Sequence, residues 1–514
     1  MTVVRTITRG VLLAFVGVFC YLPLAALLWR APTGFAPLAA EAGYYLRVVS
    51  FTVGQALGST LLALLAGLPC AYVFARLQFV GRRAALAIVT LPFVLPTVVV
   101  AAALLALVRL AGGTPDGGLG LVLVAHTLYN YGVVARVVGA GWAGIDPQLS
   151  AAAALLGAGG WRGFVRVVWP LLRPAIIAAA LLVFSYTLTS FGIIVLLGDL
   201  RQPTVEVEIY RQTAQLLRVD VAAALALLQL VTTGAATLIA GRLAAAPGSS
   251  RRPARRTPRG REWLLLTLVA LLALATCMPL AAMLIRSLQD ASGGWSLAAY
   301  TGLAENARGA ALFVAPTRAL ATSGLIALAA SGAALALGLV GASWLAHAQR
   351  GGALEIALTL PLGISAVTLG LGALVAFAPL GWLAQPWLLV ALHALLALPL
   401  VVRALLPAVT SIGTRLREAA AMLGAGPLRV WWRIDLPLLA PALRAAGALA
   451  AALSLGEYGV AALLARPETT TAPLAIVRLL ALPGAANYAR AMALATLLAL
   501  ITALLALAID ADGG

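Results

Sequence analysis

Long apolar runs separated by short polar segments dominate the chain. A helix that crosses a membrane needs ~20 mainly apolar residues, because ~30 Å of hydrocarbon is crossed at ~1.5 Å per residue. Twelve runs meet this requirement, near residues 10–29, 51–75, 84–108, 118–142, 174–198, 219–241, 263–286, 317–346, 353–377, 386–409, 441–465 and 486–508. They are apolar on all faces and do not alternate with period two, which favours helices in lipid over amphipathic surface helices or barrel strands. The pattern predicts an all-α polytopic membrane protein.

Composition excludes the common soluble classes. Of the 514 residues, 62% are hydrophobic and only 10% are charged, and the mean hydropathy is +1.02. Soluble globular proteins carry roughly 25% charged residues, and disordered chains are still more polar. The three cysteines, Cys20, Cys70 and Cys277, each lie inside an apolar run. Without a closely spaced pair they indicate small buried hydrophobes rather than a metal or redox site.

The excess of positive charge predicts how the chain is oriented. The formal net charge is +18. In a chain this apolar, such an excess indicates which side of a membrane each loop faces and argues against a nucleic-acid partner. If the N-terminus is inside, 23 of the 35 basic residues lie on the cytoplasmic side. We therefore expect a multi-pass protein with both termini in the cytoplasm.

A polar segment at residues 242–262 divides the chain. It combines Pro, Gly and Ser with seven arginines, a composition that cannot form a core. We interpret it as a flexible cytoplasmic linker whose charge sets topology; contact with nucleic acid or anionic lipid is the alternative. The predicted domains are a first repeat of six spans at 1–241 and a second at 263–514.

The two predicted domains are copies of one another. At an offset of 267 residues, the segment 150–175 aligns with 417–442 without a gap, and the SFG at 190–192 faces the EYG at 457–459. An internal repeat of this kind is typical of a membrane transporter with its pathway between the repeats. Since each half has an even number of spans, the copies have the same orientation, and the pseudo-two-fold axis runs along the membrane normal.

The repeated segment predicts a helix, a glycine turn and a second helix at the cytoplasmic face. In the second half, a short helix over 414–423 is followed by Gly424 as a stop. In the first half, Asp146 suits the N-cap, Pro147 the first helical position and Gly157 the end. A protruding helix pair suits a docking surface; the alternative is an interfacial helix that rests on lipid.

The second-half loop resembles the EAA loop of binding-protein-dependent ABC importer permeases. The positions that match its pattern are Glu418, Ala419, Ala420, Gly424, Ile434, Leu436 and Pro437. Their first-half counterparts are Ala151, Ala152, Gly157 and Pro170. The fused two-half layout is similar to that of iron(III) and thiamine permeases, and the segments 91–107, 125–130 and 454–464 resemble the thiamine branch. The resemblance covers nearly the whole chain and implies the type I importer permease fold.

The resemblance also implies a mechanism and partners. Each EAA loop forms a coupling helix that enters a groove on a cytoplasmic ATPase subunit, and closure of two ATPase copies around ATP rocks the halves between inward- and outward-facing states. A periplasmic or lipid-anchored solute-binding protein delivers the cargo at the bacterial inner membrane. The sequence has no GxxxxGK[ST] loop, so we expect ATP to be hydrolysed by the partner. We expect no catalytic site, bound cofactor or metal in this chain.

Several cargoes and one other transporter class stay open. The family resemblance favours thiamine or ferric iron, with sulfate, molybdate, polyamine or phosphonate as alternatives. A secondary active transporter would also have twelve spans in two copies, but it has no reason for duplicated EAA-like loops. A membrane-embedded enzyme would need clustered Asp, Glu or His on facing spans, and only scattered single residues occur.

The two coupling loops differ at one position. Ala151 stands where the second loop has Glu418, so the first loop lacks the charged anchor of the family pattern. We therefore predict asymmetric coupling.

A few polar residues within the spans are candidates for the pathway. Ionisable residues in a span are costly and often functional, and Glu457 lies about two-thirds along its predicted span. With Tyr458 it faces Ser190 and Phe191 of the first half, and we predict that these four residues line a pathway that suits a cation. The alternative is a Glu457 near the outer interface or paired with Arg466.

The histidines give no metal-ligand spacing. The repeat-equivalent His126 and His393 lie within spans, and we interpret them as helix-packing hydrogen-bond partners rather than substrate contacts.

Overall fold

The computed structural model describes residues 2–114, 117–199, 201–244, 255–290, 293–305, 314–347 and 352–511. Within these ranges the chain is helical, and the only strand-like pairings are two isolated bridges, Leu77 with Arg256 and Gln289 with Trp295. Residues 245–254 of the predicted linker lie outside the described residues, so about half of that linker is not placed.

Ten labelled helices make up the first half. They are α1 (Thr6–Ala40), α2 (Ala42–Arg76), α3 (Arg82–Val94), α4 (Thr97–Leu110), α5 (Leu119–Ala143), α6 (Pro147–Leu155), α7 (Trp161–Leu188), α8 (Gly192–Leu197), α9 (Val205–Ala214) and α10 (Val219–Ala244).

The second half repeats the same order, so each helix has a counterpart ten labels later. Its helices are α11 (Glu262–Ser287), α12 (Pro316–His347), α13 (Gly352–Thr359), α14 (Ala366–Phe377), α15 (Pro386–Ser411), α16 (Thr414–Met422), α17 (Pro427–Gly456), α18 (Gly459–Leu464), α19 (Ala472–Ala481) and α20 (Ala485–Ala511).

Among the described residues, ten helices are long and apolar enough to cross a membrane, and two bent pairs bring the number to as many as twelve. The bent pairs are α3 with α4 (107°) and the α13 segment with α14 (105°). The predicted spans at 84–108 and 353–377 are thus each formed by a bent pair rather than by one straight helix. Leu95 is extended before Pro96, as proline requires of its predecessor. In the second half, Ile364 is extended and Ser365 caps α14.

Two further predicted spans are each a long helix plus a short one. The predicted span 174–198 covers the end of α7, a break at Thr189–Phe191, and α8. The predicted span 441–465 covers the end of α17, a break at Glu457–Tyr458, and α18. Each break lies inside an apolar run, which a hydropathy pattern alone does not separate.

The first bent pair crosses from one end of the bundle to the other. Helices α2 and α5 run parallel: the Arg76 guanidinium donates to the Ile145 carbonyl (2.9 Å), and Ser59 and His126 are hydrogen-bonded (3.1 Å) about 17 residues earlier on each helix. Because α2 ends where α5 ends, the chain between them must return to the opposite end. The α3–α4 pair makes that crossing, so it is a broken span rather than a re-entrant loop.

We call the end that holds Arg76, Ile145 and Glu262 the loop end. Glu262, at the start of α11, accepts a hydrogen bond from Tyr72 near the end of α2. At the opposite end, the Arg286 guanidinium of α11 donates to the Arg109 carbonyl of α4 (3.0 Å). The α11 helix therefore runs from the loop end to the opposite end.

The first helices of the two halves are partly exchanged. The first part of helix α1 packs on the second half: Phe19 contacts Phe377 and Trp387 (ring centroids 6.0 and 6.1 Å), and Arg9 lies over Trp344. Its later part packs on α10 of the first half, where Gly34 lies against the Asp220 backbone. Helix α11 packs in turn on the first half, where Thr276 is hydrogen-bonded to Tyr131 (2.7 Å). The exchange makes both halves contribute to each side of the bundle.

Candidate coupling loops and translocation pathway

Residues next to helix α6 in the chain determine where it begins and ends. The Asp146 carboxylate accepts a hydrogen bond from the Gln148 backbone N–H (2.9 Å), and Pro147 follows at the first helical position. Gly157, with φ +78°, turns the chain after the helix. Ala151 and Ala152 lie exposed on α6, and Pro170 lies exposed near the start of the long apolar part of α7.

Helix α16 has the same design with a different cap. Gly413 precedes it and offers no side-chain hydrogen bond, and Gly424 (φ +79°) turns the chain at its end. Glu418 and Ala419 are exposed on the helix, Ala420 is half-buried, and Pro437 is exposed at the start of the following helix segment. The order of helices places both loops at the loop end, since α5 and α15 occupy equivalent positions.

Each coupling helix ends in a pair of exposed apolar side chains. Leu155 and Leu156 are 90% and 86% exposed, and their repeat equivalents Met422 and Leu423 are 89% and 88% exposed. Large apolar side chains this exposed outside the spans usually contact a partner. The exposed pair is therefore duplicated, with one copy in each half.

The second loop is held by an ion pair that the first loop lacks. The Arg417 guanidinium of α16 pairs with the buried Asp435 carboxylate at 2.9 Å. At the equivalent first-half positions the sequence has Ser150 and Val168, which cannot form this pair. The first loop is held instead by Arg76, which donates to the Ile145 carbonyl.

The last part of the linker is ordered against the first half. The Arg256 backbone N–H donates to the Arg76 carbonyl (3.1 Å), and the Gln78 N–H donates to the Arg256 carbonyl (2.9 Å). The Arg256 guanidinium also pairs with Glu262 (2.6 Å), and this hydrogen bond raises the pKa of Arg256 above its ordinary value. The predicted flexible linker is therefore fixed at this point, next to the helix that supports the first loop.

The two halves meet at a stacked pair of aromatic rings. Phe191 and Tyr458 occupy equivalent positions in the repeat, each in the break after a long helix. Their rings are stacked, with centroids 5.1 Å apart and planes at 15°. Tyr210 of α9 also contacts Phe191, with ring centroids 5.3 Å apart and planes tilted at 52°. The pseudo-two-fold axis therefore passes through a closed aromatic contact.

Glu457 and Ser190 lie directly beside this contact. One Glu457 carboxylate oxygen accepts a hydrogen bond from the Val460 backbone N–H (2.7 Å), so Glu457 caps α18. Among the described residues its hydrogen bond is to this backbone group rather than to the Arg466 considered above. Ser190 is buried, and its hydroxyl has no hydrogen-bond partner among the described residues.

Sequence reasoning missed two fully buried carboxylates, Glu206 and Glu208, on the short helix α9. Gln229 of α10 donates to Glu206 (2.7 Å). Glu208 accepts hydrogen bonds from Tyr44 (2.8 Å) and Gln212 (2.6 Å). Two acidic residues in the short segment between predicted spans were an available signal, but hydropathy assigns that segment to a loop.

A cavity of about 320 Å³ lies between the halves on the loop-end side. Its walls are formed by α10 and by the segment around α13, and its lining includes Gly234, Thr237, Glu355, Gly363 and Arg403. The cavity ends where the Thr233 hydroxyl donates to the Gly363 carbonyl (2.6 Å). One turn beyond Thr233 on α10 lies Gln229.

Both intramembrane histidines hydrogen-bond between helices. His126 is bonded to Ser59 of α2 (3.1 Å), and His393 to Ser454 of α17 (2.8 Å). The two serine partners are not at equivalent positions of the repeat. The equivalent histidine therefore links a different pair of helices in each half. Both contacts agree with a packing role.

The comparisons with known proteins agree with this architecture. Residues 61–245 match the family described as "Binding-protein-dependent transport system inner membrane component". The chain is similar to the thiamine transport system permease protein ThiP of Brucella abortus (strain 2308), with 28% identity over 92% of this chain and 90% of the relative. It is also similar to ThiP of Escherichia coli (strain K12), with 28% identity over 87% and 86%. A partial relative is the molybdate/tungstate permease WtpB of Thermococcus kodakarensis, with 29% identity over 34% and 65%.

Proposed function

We propose that this chain, which is a fused two-half permease of the binding-protein-dependent ABC transport family, carries thiamine across the bacterial cytoplasmic membrane. The chain is an inner-membrane transporter component rather than an enzyme. The duplicated coupling loops carry the proposal. Each presents an apolar pair to the loop end, where an ATPase subunit would bind.

The chemistry of the central contact supports a planar organic cation. Thiamine carries a positively charged thiazolium ring joined to an aromatic pyrimidine. Aromatic side chains offer faces that attract such rings; Phe191 and Tyr458 are stacked, and Tyr210 lies against Phe191 in a tilted arrangement. The neighbouring Glu457 carboxylate favours a cation over sulfate, molybdate or phosphonate. Ferric iron and polyamines have no aromatic ring to stack on the pair.

Two copies of a cytoplasmic ATPase and one solute-binding protein complete the proposed importer. Each ATPase copy would bind one coupling loop and hydrolyse ATP, so this chain needs no cofactor of its own. The loop end would face the cytoplasm together with both termini, and the opposite end would receive the binding protein. The arginine distribution supports this orientation.

The cargo is tested by isolating the binding protein that co-purifies with the permease. We expect calorimetric titration of that protein to detect thiamine binding, and ferric iron, sulfate, molybdate and spermidine to give no heat. A binding protein that takes up ferric iron or an oxyanion and not thiamine would contradict the proposed cargo while leaving the ABC permease class intact.

The asymmetry between the loops predicts unequal responses to substitution. Glu418→Ala should reduce ATP-driven uptake because it removes a charged contact from the second loop. A charged hydrogen bond at an interface contributes about 1.5–3 kcal/mol, so a loss of roughly ten-fold or more is expected. Ala151→Glu should change uptake much less, since the first loop works without that charge. Equal and negligible effects of both substitutions would rule out asymmetric coupling.

A further inference from the structure

The carboxylate of Glu206 is buried without a complete set of partners. Glu206 is 0% exposed, and one of its oxygens, Oε1, receives the hydrogen bond from Gln229. Its other oxygen, Oε2, has no partner among the described residues. The Gln229 amide oxygen, on a side chain that is 5% exposed, is also without a partner.

Both unpartnered atoms are acceptors, which restricts what can satisfy them. The Gln229 amide nitrogen is already committed to Glu206, so the amide cannot turn round to supply a donor without losing that bond. A buried acceptor with no donor is destabilising, and a buried carboxylate without a counter-charge more so. A group that satisfies these two oxygen atoms must therefore be a hydrogen-bond donor or a cation.

Glu457 brings a second carboxylate to the same place from the other half. Tyr458, next to Glu457 in the chain, stacks on Phe191, and Phe191 is also in contact with Tyr210 on the helix that carries Glu206. Glu457 is partly accessible and uses one oxygen on the Val460 N–H. The two acidic groups, one from each half, thus both border the cluster formed by Phe191, Tyr458 and Tyr210.

The cavity that extends towards the loop end begins little more than one turn along α10 from Gln229, the partner of Glu206. Along α10, Gln229 is followed one turn later by Thr233, whose hydroxyl donates to the Gly363 carbonyl. Gly234 then approaches Gly363 so closely that an added Cβ on Gly363 would lie 3.0 Å from the Gly234 Cα. Past this constriction, Thr237 and Arg242 line the cavity.

We propose that Glu206, Gln229 and Glu457 form a binding site for the positively charged ring of a planar organic cation during its passage between the halves. The site rests on the proposed function and specifies where the cargo is held. The thiazolium ring lies between the two carboxylates and offsets their negative charge, and the amino group of the attached pyrimidine ring donates to the free oxygens of Glu206 and Gln229. The aromatic pair stacks on the ring.

The test uses the complete importer, reconstituted in liposomes with its ATPase and binding protein, and measures both thiamine uptake and ATP hydrolysis. Glu206→Gln keeps the shape of the side chain and removes its charge. We expect uptake to fall by roughly ten-fold or more, as for loss of a charged hydrogen bond in a buried site. ATP hydrolysis stimulated by the binding protein should persist, because the coupling loops are untouched. Glu457→Gln should likewise reduce thiamine uptake while stimulated ATP hydrolysis persists.

Glu208→Gln is the matched control. Glu208 is on the same helix and equally buried, but both of its oxygens already accept hydrogen bonds within the protein. Uptake by this variant, per assembled complex, should remain close to that of the unsubstituted chain. If Glu206→Gln fails to assemble, Glu206→Asp, which keeps the charge, should assemble and retain part of the uptake.

Two outcomes separate this site from the proposed function. Undiminished uptake by the Glu206→Gln/Glu457→Gln double variant would overturn the site while the cargo stands. An unsubstituted chain that drives no thiamine uptake would overturn the cargo itself, and with it the assignment of thiamine to this site.

Discussion

Replacing Met422 and Leu423 together with Asp is expected to abolish ATP-driven uptake. Both side chains are almost fully exposed at the end of α16, where the account places the ATPase groove. An uncompensated buried charge costs about 3–5 kcal/mol. Since about 1.4 kcal/mol corresponds to ten-fold in affinity, binding of the ATPase at this loop should weaken by about 100-fold or more. Uptake by reconstituted liposomes and co-purification of the ATPase measure the effect.

Val80→Asp is the control for this substitution. Val80 is a fully exposed apolar residue between α2 and α3, near the loop end but outside both coupling helices. We expect its replacement to leave uptake and ATPase binding unchanged. The equivalent first-loop pair, Leu155 and Leu156, should behave like the second-loop pair when replaced by Asp. If the loop variants and Val80→Asp have the same effect, the exposed pairs are not the docking points.

Gly67→Val is expected to destabilise the first half strongly. At this position α2 and α5 approach so closely that an added Cβ would lie 2.5 Å from the Val134 Cβ and 2.7 Å from the Tyr131 carbonyl oxygen. Small residues permit this kind of close approach between membrane helices. Forcing the helices apart would disturb the parallel pairing that positions the first coupling loop, at a cost of at least about 2 kcal/mol. A lower melting temperature of the purified protein in detergent measures the loss.

Gly54→Val on the same helix is the matched control, because an added Cβ there meets nothing within 4 Å. It should melt close to the unsubstituted protein. Equal melting temperatures for the two variants would contradict the close packing of α2 on α5.

The spans that the sequence predicts best are the uninterrupted ones. The predicted runs 263–286 and 386–409 correspond to α11 and α15 within a few residues at each end, since a lipid-buried helix needs only continuous apolar character. The broken spans are different. Both helices of the α3–α4 pair are apolar, so a hydropathy pattern shows them as one continuous run. Pro96, which forces its predecessor to be extended, was the available signal.

The coupling loops were predictable because they are local and duplicated. The predicted helix at 414–423 is α16, Thr414–Met422, and the Asp146 cap and Gly157 turn are present. Glycine turns and N-caps depend on residues next to one another in the chain. The roles of these loops in ATPase coupling, and of Glu457 and its neighbours in the pathway, stay predictions.

The central site depended on tertiary structure that no local pattern contains. Tyr210 places α9 against Phe191, which stacks on Tyr458 of the other half, and the partner of Glu206, Gln229, comes from a separate helix. The exchange of α1 and α11 is likewise invisible in the sequence. The sequence patterns of both helices are those of ordinary spans. Side-chain contacts such as those of Phe19 and Thr276 determine which half each helix packs on.

Uptake of labelled thiamine by liposomes that contain this chain, its ATPase and its binding protein tests the central claim most directly. ATP is supplied on the side of the coupling loops and the loaded binding protein on the other. We expect thiamine to accumulate only when ATP and the binding protein are both present, and the Met422→Asp/Leu423→Asp variant to accumulate none. Accumulation driven by an ion gradient without ATP, or no accumulation by the complete importer, would contradict it.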